Sequence, residues 1–252
     1  MDLGIQGKVA MVLASSKGLG RAIALELAKE GAKLIICGRN QESLSATAGE
    51  IQELGVEVLA VKTDLNTAED RERLCKKAID QFGCVDILVT NTGGPPPGVF
   101  EDFLNEDWKD YFNALFVSVT DIVAKVIPGM KDNQWGRILM VSSVSIKQPV
   151  PNLITSNAVR SSLLGLSKSL SNELAQYSIT VNNLMPGYTL TTRLSNLIQQ
   201  NPAVQEVTKE IPLGRFGKPE EFAAAAAFLV SDRASYISGV SLAVDGGWIR
   251  GI

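Results

Sequence analysis

The sequence predicts an α/β domain built on a mostly parallel, seven-stranded, doubly wound sheet with helices on both faces. Two observations carry this. Short β-branched runs alternate with stretches of helical period along almost all of the 252 residues, and crossover helices between strands make a sheet parallel. The right-handed crossover rule then leaves the doubly wound arrangement as the leading topology.

Lys8–Ala14 is the first strand candidate, followed by a helical stretch in which Leu19, Ile23 and Leu27 share one face. Lys33–Gly38, Glu57–Thr63 and Val85–Thr90 are the next three strands. Leu115, Val119, Ile122 and Val126 form an apolar stripe before the strand Arg137–Ser143. A further stripe, Leu163, Leu166, Leu170 and Leu174, precedes Thr180–Met185, and Val240–Val244 closes the series. The Gly-Gly-Pro-Pro-Pro-Gly segment from Gly93 to Gly98 reads as a stiff loop, because the rhythm resumes beyond it. From Tyr188 to Lys218 no strand is expected, and helix signals are short and interrupted by Pro202 and Pro212. Such an excursion reads as a substrate loop or lid on a single domain spanning residues 1–252.

Composition narrows the function. Hydrophobic residues are 45% and charged residues 20%, as in soluble globular chains. A net charge of −3 argues against nucleic acid as a partner. No apolar run reaches the roughly 18 residues of a membrane span, and the N-terminus lacks a signal-peptide core. Cys37, Cys75 and Cys84 have no metal-ligand spacing, so no metal site is expected and a reduced, cytoplasmic setting is. There is no histidine, which removes His-based triads, His metal sites and the commonest general base.

After the first strand comes Ala14-Ser15-Ser16-Lys17-Gly18-Leu19-Gly20, opening directly into a helix. Glycines there let backbone approach a pyrophosphate at the positive helix N-terminus, the phosphate unit of a Rossmann dinucleotide fold. A reader of NAD carries an acid about 20 residues further on to bind the ribose 2′-hydroxyl. Here the second strand ends in Cys37-Gly38-Arg39-Asn40, with no carboxylate. Arg39, with Lys17 and Ser16, suits a 2′-phosphate, so NADP(H) is the expected cofactor. The alternative is a pair of solvated surface cations.

Further motifs follow the later strands: Thr63-Asp64-Leu65, Asn91-Thr92-Gly93-Gly94, Ser142-Ser143-Val144, Pro186-Gly187 with Thr191, and Gly214-Arg215 through Asp245-Gly246-Gly247. With the phosphate loop, they resemble the short-chain dehydrogenase/reductase family, especially its 3-oxoacyl-carrier-protein reductase-like members, over essentially the whole chain. The resemblance implies that Ser15 to Gly20 cradle the pyrophosphate and that Asp64 and Leu65 flank the adenine. It implies Asn91, Thr92 and Gly93 under the ribose–nicotinamide half, and Pro186, Gly187, Thr189 and Thr191 on the carboxamide side. A homotetramer or homodimer is implied too, with the long helices after the fourth and fifth strands in one interface.

The chain departs from that pattern. Leu13 and Ala14 stand where the family's phosphate loop begins Thr-Gly. Ala14 is tolerable if its φ is negative and awkward if it is positive. The family's catalytic Ser is followed by a Tyr and then a Lys; counting from Ser143, those places hold Ser156 and Arg160. Leu115 falls at the place of the family's catalytic Asn, with Asn113 two residues before. Arg160 can keep the ribose hydrogen bonds but not easily release a proton, and a serine hydroxyl is a far poorer acid than a phenol. Candidate replacement groups are Tyr188, more commonly a packing aromatic, and Lys147, more commonly a solvated cation. Ser143 either orients a substrate oxygen or closes the strand end.

The leading reading is an NADP(H)-dependent oxidoreductase acting on a carbonyl or alcohol of a small-molecule substrate. In it Ser143 orients the oxygen, Arg160 fixes the ribose, and Tyr188 or water supplies the proton. The runner-up is an NADP(H)-binding sensor or non-catalytic subunit. A lyase or epimerase ranks last, since the excursion offers only Glu206 and Glu210 as acids. It also carries no arginine cluster that would demand a phosphate or carboxylate.

Overall fold

Seven apolar runs pair edge to edge: β1 (Val9–Val12), β2 (Lys33–Gly38), β3 (Val58–Lys62), β4 (Ile87–Thr90), β5 (Gly136–Val141), β6 (Ile179–Pro186) and β7 (Ser241–Val244). In the computed structural model, which describes residues 2–251, they form one sheet in the order β3-β2-β1-β4-β5-β6-β7. Every pairing is parallel. All seven expected strands are present, most of them trimmed at the ends. Lys8–Ala14 shortens to Val9–Val12 because Ala14 turns out of the sheet at φ 47°. Arg137–Ser143 stops at Val141 because Ser143 already caps the next turn.

Side chains alternate between the two faces of the sheet. Ala10, Val12, Leu34 and Ile36 pack with α1 (Gly18–Lys29), α2 (Gln41–Glu53) and α8 (Pro219–Leu229). Met11, Leu13, Ile35 and Cys37 point the other way, toward α3 (Ala68–Phe82), α5 (Ser118–Asp132) and α6 (Ile154–Leu174). Burying each large aliphatic side chain contributes about 1.5–3 kcal/mol. α4 (Asn105–Phe112) runs through a π turn at Asn113–Val117 into α5, making one helix from Asn105 to Asp132. By length and composition alone that helix could cross a membrane, although no uninterrupted apolar run suggested one. Its Val119, Ile122, Val126 and Met130 face is instead packed into the core.

The excursion after β6 is not shapeless. It contains α7 (Thr192–Gln200) and a 3₁₀ stretch, Pro202–Lys209, that starts at the expected proline. A parallel bridge between Thr189 and Gly217 ties its root, with Leu190 N–H donating to Gly217 at 2.8 Å and Gly217 N–H to Tyr188 at 3.0 Å. Beneath it lies a small third core of Val144, Met185, Ile211 and Trp248, with Tyr188 packed against them.

Candidate active site

At the carboxyl edge of the sheet the chain leaves β1 through β6 into loops that line two adjoining cavities, of about 410 and 730 Å³. Both are lined by Ala14, Lys17, Thr92, Gly93 and Gly94, so they form one groove crossing the switch point between β1 and β4. The smaller end adds Ser16, Arg39, Asp64 and Leu65. The larger adds Asn91, Ser142, Arg160, Pro186 and Thr191.

The phosphate loop is shaped by close approach. A Cβ on Gly20 would collide with the Ala14 carbonyl and come within 2.8 Å of the Asn91 amide nitrogen. A Cβ on Gly38 would sit 2.7 Å from the Ser16 hydroxyl. Asn91 Nδ2 donates to the Ala14 carbonyl at 3.2 Å, which ties the end of β4 to the loop. Ala14 has the positive φ that made its methyl awkward. Ser15 is fully buried; its hydroxyl donates to Val12 and accepts from the Cys37 N–H at 3.1 Å, so it pins the loop to β2 rather than lining the groove. Lys17 is the exposed N-cap of α1, and Gly18 at φ 58° begins the helix against Thr191. These features fit a dinucleotide pyrophosphate: a cradle without side chains, helix N–H groups and one cation.

Arg39 is exposed and makes no side-chain hydrogen bond among the described residues, as a guanidinium kept for a ligand would. Asp64 accepts from the Asn66 N–H at 3.0 Å, which shapes the loop that presents Leu65 to the groove. Thr191 caps α7 through Leu194 and lines the groove, whereas Thr189 is buried at the excursion's root. Gly187 lies where a Cβ would stand 2.7 Å from the Cα of Asp245.

The catalytic candidates separate. Arg160 is 6% exposed in the groove wall, its Nη2 donating to Gly93 at 2.8 Å and Nη1 to Val141 at 3.4 Å. Burial, with Arg193 nearby, pushes its guanidinium down to about 10, so it stays charged near neutral pH. Ser143 accepts from the Ser145 N–H at 3.1 Å and caps a 3₁₀ turn; the neighbouring Ser142, buried with an unpartnered hydroxyl, lines the cleft. Ser156 is buried on α6, outside the lining residues. Tyr188 stacks edge-on to Trp248 at 5.6 Å and lines a separate small cavity, and burial raises its phenol further. Lys147 reaches the Ser241 carbonyl at 3.5 Å from an exposed position. Leu115 is buried in the π turn and lines the groove, while Asn113 donates away to Asn66 at 3.1 Å. Thiol chemistry is remote, since burial pushes Cys37 up to about 12 and Cys75 to about 11.

Sequence reasoning missed Arg193. It is the second residue of α7, donates to Pro95 at 2.8 Å, and lines the same cleft as Arg160. An arginine cluster was not expected from the excursion alone, and it arises because α6 and α7 each supply one member.

A family model described as enoyl-(acyl carrier protein) reductase matches residues 13–249. "Dehydrogenase/reductase SDR family member 4" of Sus scrofa is 38% identical over 245 residues, covering 96% of this chain and 88% of that protein. "NADPH-dependent reductase BacG" of Bacillus subtilis (strain 168) is 33% identical over 256 residues, covering 97% and 99%. The L-sorbose reductase of Gluconobacter frateurii, solved with NADPH and L-sorbose, superposes with a TM-score of 0.95 at 33% identity, both chains fully covered.

Proposed function

Because the chain belongs to the short-chain dehydrogenase/reductase family and takes NADP(H) as its cofactor, we propose that it reduces a carbonyl of a small-molecule substrate in the wider part of the groove. The observation that carries this is the continuity of the groove, which runs without a break from Arg39 to Arg160. Bound NADPH supplies the hydride. Arg39 and Ser16 meet the 2′-phosphate, Lys17 and the first N–H groups of α1 meet the pyrophosphate, and Arg160 holds the ribose end. The proton relay is atypical. With Tyr188 packed on Trp248 outside the cleft, water in the cleft delivers the proton to the alcohol oxygen, which the Ser142 hydroxyl and the Arg160 charge orient. The net change is carbonyl plus NADPH plus a proton, giving alcohol plus NADP⁺.

The assembly belongs to the same proposal. Val99, Phe100 and Leu104 stand exposed before α4 and Phe112 at its end, and such apolar exposure suits the face of a homotetramer or homodimer.

Titrating the protein with NADPH and then adding ketones, quinones and 3-oxoacyl thioesters tests the reading by loss of nicotinamide absorbance. Turnover is expected, and Tyr188→Phe should hold it within about twofold. A loss of about 10²–10⁴-fold in that variant would return the proton to Tyr188. Tight NADPH binding with no turnover across the panel would favour a sensor or non-catalytic subunit instead.

A further inference from the structure

The wide end of the groove collects positive charge and no negative charge. Arg160 reaches it from α6 and Arg193 from α7, and its lining residues include no aspartate or glutamate. Neither guanidinium has a carboxylate partner among the described residues. Arg160 donates to the carbonyls of Gly93 and Val141, and Arg193 to that of Pro95. Two carbonyls of one short loop therefore hold two like charges, close enough that Arg193 helps to depress the ionisation of Arg160.

That arrangement is unfavourable when the cleft holds only water. A nearly buried cation with carbonyl partners alone has lost hydration that dipoles offset only in part. Repulsion from Arg193, which is itself exposed at the mouth of the cleft, adds to this. An anion at Arg193 relieves both. The cofactor's phosphates do not fill the role in the proposed seating, since they meet Lys17, Arg39 and the N-terminus of α1. The rest of the wide end is partly apolar, with Pro97, Leu153 and Leu197 among its lining residues. Planar guanidinium forks match a carboxylate oxygen pair.

We propose that Arg193, with the buried charge of Arg160 behind it, forms a carboxylate-binding subsite, so that the substrate is an oxo acid with an apolar body, anchored at α7. This rests on the reductase reading for its reaction, but not for its binding.

The test compares phenylpyruvate and 4-oxo-4-phenylbutanoate with their methyl esters, by calorimetry on protein with and without NADP⁺ and by NADPH oxidation. At least one acid should bind about 10–100-fold more tightly than its ester, the range expected for hydrogen bonds to a charged group. Arg193→Gln should erase most of that preference, Arg193→Lys should keep part of it, and NADPH affinity should stay within about twofold of the parent. Esters that bind as well as both acids would overturn the proposal. So would an Arg193→Gln variant that loses NADPH affinity while keeping its preference for acids, because the arginine would then serve the cofactor. An acid bound through Arg193 but never reduced would support the subsite and count against the reductase reading alone.

Discussion

Ala14 is an L-residue in a conformation that suits glycine. Its φ of 47° costs about 1–2 kcal/mol for a side chain bearing a Cβ. The position is nonetheless held, because its carbonyl accepts from Asn91 across the groove at 3.2 Å. Glycine would remove the strain while adding about 0.5–1 kcal/mol of unfolded-state freedom. Ala14→Gly should therefore raise stability by up to about 1 kcal/mol in urea unfolding without weakening NADPH binding. A loss of stability would show that the methyl packs better than it strains. The sequence posed this question but left its sign open, because a φ angle is not written in residue type. The same limit explains the catalytic candidates. Ser143 and Ser142 are adjacent and chemically identical, and only backbone direction decides which one caps a turn and which lines the cleft.

Elements were far more legible than side-chain roles. Each strand is bounded by turn chemistry that a linear reading detects, and trimming at the ends came from local events such as the Ala14 turn. The excursion after β6 was visible as a break in rhythm. Its clamp, the Thr189–Gly217 bridge, joins residues too far apart in the chain for any pattern to announce. The π turn at Asn113–Val117 was equally silent, since one extra residue per turn leaves no compositional mark. At this scale Gly187 is the informative position. Its N–H donates to Val244 at 3.0 Å, and a Cβ would press on the backbone of Asp245 at 2.7 Å. Gly187→Ala should force β6 and β7 apart at the mouth of the site and destabilise by about 1–3 kcal/mol, read by thermal unfolding. An unchanged melting temperature would mean that the two strand ends yield freely.

For the whole molecule, the exposed apolar rim predicts behaviour in solution. Phe100 is 68% and Leu104 71% exposed, which is costly for an isolated chain. Leu104→Asp should shift light-scattering mass toward the monomer while leaving the circular dichroism of the fold intact. A parent protein that is already monomeric at micromolar concentration would dismiss the assembly. The strand order has a different consequence, one that concerns time. β1 lies between β2 and β4, and the Val9 N–H meets the Asp86 carboxylate at 2.9 Å across 77 positions of chain. During synthesis β1 can pair on only one side until β4 emerges, roughly 4–15 seconds later at ordinary translation speeds of about 5–20 residues per second. For that interval one side of β1, an interior strand of the finished sheet, is a bare apolar edge, open to pairing with other chains. The strand that begins the finished cleft is thus, for those seconds, an unpaired surface of the nascent chain.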